Sequence, residues 1–393
     1  MLGSLGYASS KSEDQLYLVG QGVYKDGFWG ETVKQFSLFL REYPKSQRRT
    51  EAMLMLAEAL RQENNCQAAA GYYKTIVEEN PGFKLADKAW YRLGECSYKL
   101  GKYAEAEAAY HSVWAGFPDS ELKVPALLGE GESLYIQKKY QEAKAAYGEC
   151  SKLSSGEYRR AAGLGLGWAY YQLGKFEEAA QEFAQLTSGQ ASDSIRQQAL
   201  FQQAKAYYLA KDYGQALTGW EEFARRFPES SLLLQAIYNA AYCDIKLEQP
   251  AKARQRFERF VEAYPKHELT GAAWYELGKL YYAAPDYAKA GAAYQKAAAI
   301  LGDEALAAES AYWQAESLSR RGKVKEAAAR YEELCRKYPK QLQWVNLARF
   351  RSAEIYVYRQ EWKKAKAALK AITKSSRDEE LVKKAEEMLS KIK

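Results

Sequence analysis

Tyrosine, tryptophan and lysine recur along this chain at intervals that bring them to one surface. Trp168, Tyr171, Lys205, Tyr208, Tyr238, Tyr242, Tyr275, Lys279 and Tyr282 lie three or four residues apart within a segment and 37 residues apart between segments. Residues three or four apart share a helical face, so the set describes a wall of aromatic rings carrying two cations. Tyrosine and tryptophan offer large contact area with a polar tip, and such anchors dominate protein interfaces. The chemistry expected of this wall is therefore binding: capture of an extended or helical segment with apolar anchors and an acidic group. Covalent chemistry has little material. His111 and His267 are the only histidines, which leaves little room for an acid–base pair of the common type. The five cysteines (Cys66, Cys96, Cys150, Cys243, Cys335) form no CxxC and no Cys/His cluster, so buried structural thiols are expected rather than a metal site. Gly163, Gly165 and Gly167 fall in a helical register and read as close-packing positions, not as a phosphate cradle. No catalytic residue, metal or cofactor is expected; an enzyme subunit that positions a substrate is the alternative.

The elements that must position the wall follow from a second, longer register. Thr32, Ala69, Ala106, Ala143, Ala179, Ala216, Ala253, Ala290, Ala327 and Ala365 are separated by 37 residues, with one gap of 36 and one of 38. Four residues beyond each stands a large apolar partner: Phe36, Tyr73, Tyr110, Tyr147, Phe183, Trp220, Phe257, Tyr294, Tyr331 and Leu369. That spacing stacks small and large residue on one face of a helix, so a paired helix can approach over the small one. Pro44, Pro81, Pro118, Pro228, Pro265 and Pro339 end the second helix of a pair, where a missing N–H stops propagation. Gly27, Gly101, Gly174 and Gly322 mark the turn inside a pair. Ser46, Ser120 and Ser230 are expected to N-cap the following first helix, which should carry about one extra turn at its start.

The fold class this implies is all-α: a right-handed α-solenoid superhelix of about ten helix–turn–helix repeats, with residues 376–393 as a C-terminal capping helix. The array is expected to run without a linker over residues 14–375, each repeat packing on its neighbours. Residues 1–13 read as a disordered leader or the remnant of a signal peptide, with small residues at Gly6 and Ala8 but no charged start. No stretch approaches the ~18 apolar residues of a membrane span.

Within the wall, one row is expected to vary in charge: Gln21, Glu58, Glu95, Glu132, Trp168, Lys205, Tyr242, Lys279, Glu316 and Glu354. It reads as acidic, then aromatic and basic, then acidic again. The chain carries 57 basic and 50 acidic residues, and from Ser319 onward the balance is 21 basic to 10 acidic. That basic end is a candidate peripheral contact, although interleaved acids such as Glu332 and Glu386 argue against nucleic acid.

Trp90-x-x-Leu93-Gly94, Tyr98, Gly101, Tyr103 and Ala106-x-x-x-Tyr110 through Pro118 resemble the tetratricopeptide (TPR) repeat, as does Trp274-x-x-Leu277-Gly278-x-x-Tyr281 with Ala290-x-x-x-Tyr294. A narrower pattern appears as Phe36-x-x-Phe39 with Tyr43-Pro44-Lys45-Ser46, and as Trp220-x-x-Phe223 with Phe227-Pro228-Glu229-Ser230. It resembles the repeats of bacterial envelope proteins, namely the periplasmic partner of the Tol-Pal system and the lipoprotein that helps assemble outer-membrane β-barrels. That resemblance implies a non-enzymatic adaptor that binds a protein or peptide partner, located in the periplasm. The alternatives are a structural subunit assembling through its convex face or ends, and a cytosolic TPR adaptor.

Overall fold

The computed structural model describes residues 12–187, 192–302 and 304–392, which form 21 α-helices and no strand. The expected leader lies outside the described residues apart from Ser12 and Glu13. Ser12 accepts from the Gln15 N–H while the Gln15 side chain accepts from the Ser12 N–H, a reciprocal cap that starts the first helix. Contacts divide the chain into two compact units, Met1–Lys211 and Asp212–Lys393.

The first unit holds α1 (Glu13–Lys25), α2 (Trp29–Glu42), α3 (Arg49–Gln62), α4 (Cys66–Glu79), α5 (Ala86–Lys99), α6 (Tyr103–Gly116), α7 (Lys123–Ile136), α8 (Tyr140–Leu153), α9 (Gly156–Gln172), α10 (Phe176–Leu186) and α11 (Asp193–Leu209). Each packs on the next in sequence, and the odd-numbered first helices also touch one another, α1 with α3, α5 with α7 and α7 with α9. The second unit holds α12 (Tyr213–Arg226), α13 (Leu233–Lys246), α14 (Pro250–Ala263), α15 (Thr270–Ala283), α16 (Tyr287–Ile300), α17 (Glu304–Arg320), α18 (Val324–Lys337), α19 (Leu342–Tyr358), α20 (Trp362–Ser375) and α21 (Glu379–Lys391). Its helices also pack in sequence, with α17 touching α19. Helix α21 covers the end of α20 with Leu381, Ala385 and Met388. Both units are α-solenoids.

The small-plus-large register forms their core. All ten small residues are fully buried, and their ten large partners are buried. In the first unit several of those rings lie directly on glycine. A Cβ built on Gly94 would come 2.7 Å from the Tyr110 ring, and one on Gly129, from the next repeat, 2.6 Å. Tyr147 is held in the same way between Gly131 (2.7 Å) and Gly165 (2.5 Å), and Phe183 rests on Gly167 (2.6 Å). The Tyr110 and Tyr147 rings are thus clamped between first helices of their own and the following repeat. Gly163 differs, meeting only Leu186 at an ordinary 3.7 Å.

Two expectations about helix ends need correction. Ser46, Ser120 and Ser230 do not cap a helix. Their hydroxyls accept from the N–H two residues on (Arg48, Leu122 and Leu232, at 3.0, 3.1 and 3.1 Å), and the helix starts one residue later still. This is the local serine turn, and Ser46 and Ser120 also donate to Glu13 and Asp87 of the preceding first helix, at 2.6 Å each. The surplus residues of the long repeat therefore form two successive turns in those repeats. They become an extra helical turn only in α9, α11, α17 and α19, each 17 residues long.

The turn inside a pair is left-handed at Gly27, Gly101, Gly174 and Gly322, with φ between 73° and 77° for the four. Gly101 shows why. Its N–H bonds to the Tyr98 carbonyl and the Lys102 N–H to the Ser97 carbonyl, which closes the end of α5. Asn64, Lys138, Lys211, Glu248 and Gln360 occupy the same slot with φ of 57–65°. A side chain there crowds the following carbonyl. Lys138→Gly is accordingly expected to stabilise the first unit by about 0.5–1 kcal/mol, read as a higher urea midpoint.

Candidate functional site

The nine wall residues lie on first helices, four in the first unit and five in the second. In the first unit α9 and α11 bring three of them together. The Trp168 ring is 5.8 Å from Tyr171 and 5.6 Å from Phe183, in edge-on arrangements that hold the indole half-buried. The Lys205 ammonium, on α11, sits 5.5 Å from the centre of the Tyr171 ring, a cation–π contact. Tyr208 is half-buried one turn further along α11. On the other side, Gln172 of α9 donates to the Tyr135 hydroxyl of α7 at 3.3 Å. One surface therefore runs from α7 across α9 to α11.

In the second unit Tyr238 and Tyr242 of α13 stack at 6.3 Å, and Tyr238 is held at 5.3 Å by Phe257. On α15 the Tyr275 hydroxyl donates to Glu309 at 2.7 Å. Burial, reinforced by that carboxylate, pushes the phenol far up, so it stays a donor. Lys279 lies 5.3 Å from the Tyr275 ring. It is also ion-paired at 3.0 Å with Glu276, whose side chain is buried, so its charge is largely compensated. Tyr282 belongs to a different cluster with Tyr287 (5.2 Å) and Trp313 (5.1 Å).

The expected run of charge along the row is mostly an ion-pair pattern. Glu58 is buried and meets Arg61 at 3.1 Å and Arg92 at 3.3 Å. Glu95 pairs with Arg92, and Glu354 with Arg351. Glu316 accepts from the buried Tyr331 hydroxyl at 2.7 Å and faces Arg351 at 3.6 Å. Two charges of the row have no charged partner among the described residues: Glu132 on α7 and Lys205 on α11, both exposed. The sequence carried the signal, since Glu276–Lys279 and Glu58–Arg61 are i,i+3 pairs whereas Glu132 and Lys205 have no opposite charge at that spacing.

Four of the five cysteines are packed away. Burial pushes the Cys96 thiol up to about 12, with Cys66 beside it adding to the effect, Cys150 to about 11 and Cys243 to about 12. Thiols so shifted are poor nucleophiles. Among the described residues no group of three or more His, Cys, Asp or Glu is placed to hold a metal ion. Nor is any helix there long and apolar enough to cross a membrane.

Comparison with known families agrees with this geometry. Tetratricopeptide repeat models match residues 50–121 and 134–206. The chain is built from tetratricopeptide repeats. An outer membrane lipoprotein model matches residues 193–388 of the TPR chain, so the C-terminal part resembles that family. Among solved structures, the C-terminal part of a TPR repeat-containing protein from Cytophaga hutchinsonii is similar at 18% identity and TM-score 0.51, over 65% of this chain and 97% of that one. A TPR protein from Parabacteroides merdae aligns at 17% identity and TM-score 0.41, over 65% and 95%. At such identities the likeness concerns the fold. No match was found among curated proteins.

Proposed function

We propose that this TPR protein is a non-enzymatic adaptor of a bacterial cell envelope, which holds a segment of a partner protein against its first-helix walls. The observation that carries this reading is the Trp168–Tyr171–Lys205 cluster. It presents a half-buried indole, a phenol and an exposed ammonium without a carboxylate, on the face where TPR repeats carry their groove. Tyr208 extends that patch; Tyr238, Tyr242, Tyr275 and Lys279 form the corresponding patch on the second unit, with Tyr282 beside it. Aromatic anchors and an available cation suit a segment with apolar residues and a carboxylate.

The envelope is supported by the outer membrane lipoprotein match over residues 193–388, and we place the protein in the periplasm. Five cysteines do not weigh against an oxidising compartment, because four are buried and burial disfavours the reactive thiolate. The basic stretch after Ser319, with Lys363, Lys364 and Lys370 exposed on α20, serves as a second contact for an acidic surface.

The test is cross-linked capture of partners from native extract of the source cells, read by mass spectrometry. A Trp168→Ala/Lys205→Glu variant that keeps its helical circular dichroism is expected to lose capture by at least ~10-fold. Lys279→Glu should cost less, since Glu276 already compensates that lysine. Undiminished capture by the double variant would move the interaction off this wall.

A further inference from the structure

Glu132 and Lys205 stand at the two ends of one surface, and the reading drawn from them rests on the groove function proposed above. They occupy the same slot of α7 and α11, with Trp168 in that slot of α9 between them. The three helices are joined along this face by the Gln172–Tyr135 hydrogen bond and the Lys205–Tyr171 contact. Neighbouring charges of the row are consumed by ion pairs within the protein, whereas these two are exposed and meet no opposite charge among the described residues.

Their surroundings also differ in kind. Glu132 opens to solvent but is walled by protein on several sides, which raises its carboxyl above the usual carboxylate range. Its negative charge in turn adds to the burial that raises the phenol of Tyr98 on α5. Tyr98 and Tyr135 are both half-buried and flank it on the wall. A carboxylate partly walled by protein, with two tyrosines nearby, favours an incoming ammonium or guanidinium, through both charge and cation–π attraction. At the other end Lys205 is an uncompensated ammonium and favours a carboxylate. Between them Trp168 offers an apolar face and an indole N–H that bonds to nothing among the described residues.

We propose that this wall of the first unit reads the charge polarity of the segment it holds, taking a Lys or Arg side chain at Glu132, an apolar side chain at Trp168 and an Asp or Glu side chain at Lys205. Helices pack ~10 Å apart, so the two charged positions are ~20 Å apart. An extended chain covers ~3.3 Å per residue, which puts the ligand's basic and acidic residues about six positions apart. The occupant is a zwitterionic stretch of a partner protein. A uniformly acidic tail would meet repulsion at Glu132, and a uniformly basic one at Lys205.

The probe is a displayed library of random peptides about twelve residues long, enough at ~3.3 Å per residue to span both charges, selected on the full chain and on three variants: Glu132→Lys, Lys205→Glu and Trp168→Ala. All three substitutions are at exposed or half-buried positions, and each variant is used only after helical circular dichroism has shown that it folds. The wild type is expected to enrich peptides with Lys or Arg and Asp or Glu about six residues apart, flanking an aromatic or Leu. Glu132→Lys should bind those peptides ~10-fold more weakly and drop the requirement for the basic residue, and Lys205→Glu should drop the requirement for the acidic one. Enriched peptides without that charge pattern, or ones that bind Glu132→Lys as well as wild type, would overturn the polarity while leaving the groove reading intact. No enrichment by wild type, or enrichment untouched by Trp168→Ala, would overturn the groove reading and the polarity with it.

Discussion

Gly165→Val is expected to lower the unfolding transition of the first unit by roughly 5–10 °C, corresponding to about 2–4 kcal/mol. In an ordinary helix interior, replacing glycine by a residue with a Cβ removes backbone freedom from the unfolded chain and stabilises by up to ~1 kcal/mol. Gly165 reverses that sign. Its Cβ would stand 2.5 Å from two atoms of the Tyr147 ring, and the ring cannot retreat because Gly131 backs it on the other side at 2.7 Å. The accommodating movement would have to part α7, α8 and α9, the three helices that share that ring. Gly148 supplies the matching comparison. It lies within α8, and nothing comes within 4 Å of its virtual Cβ, so Gly148→Ala should raise stability by about 0.5–1 kcal/mol. Solenoids need not unfold in one step, so the readout is thermal unfolding followed by pulsed amide hydrogen exchange of α7, α8 and α9. A Gly165→Val protein as stable as wild type would mean that the ring clamp is not what holds neighbouring repeats together.

Arg256→Met should destabilise the second unit by about 3–5 kcal/mol. Asp244 of α13 is wholly buried, and its charge is answered by the Arg256 Nε of α14 at 2.6 Å. The same guanidinium reaches Glu221 of α12, so one side chain ties three successive helices together. Removing it strands a buried carboxylate with no cation, and the desolvation penalty then stands alone. Removing both charges relieves that penalty. Asp244→Asn/Arg256→Met is therefore expected to recover most of the loss, measured by thermal unfolding of the three proteins. A double variant no more stable than Arg256→Met would assign the loss to packing of the arginine stem instead.

These two sites also show how much could be read before the structure. The ring at Tyr147 and the small residue at Ala143 were legible, because a period of 37 with an internal spacing of four has one structural meaning. The turn at Gly101 was legible for the same reason. Its equivalents at Lys138, Lys211 and Glu248 were not, since only the backbone dihedral reveals that a lysine or glutamate bears the left-handed position. Ser46 and Ser120 misled because a serine before a helix usually caps it, whereas here the hydroxyl closes a turn two residues ahead and reaches back to the preceding repeat.

On the wall, the aromatic rows were legible as a face but their charges were not. Glu58 has a legible local partner in Arg61, but it is also met by Arg92, 34 residues away, and no local spacing discloses a partner on another helix. Lys279 was open to a better reading, since Glu276 lies one turn behind it. The pairing of Asp244 with Arg256 likewise crosses from one helix to the next and had no sequence signature.

The central claim is that partners are held on the first-helix wall. Site-specific photo-cross-linking in the source cells tests it most directly, with a photoreactive side chain placed in separate proteins at Lys205 on α11, at Tyr135 on α7 and at Glu142 on the second helix α8. Adducts to the same partner from Lys205 and Tyr135, absent from Glu142 and suppressed by Trp168→Ala, are the result this account predicts. Adducts from Glu142 alone, or wall adducts indifferent to Trp168→Ala, would contradict it.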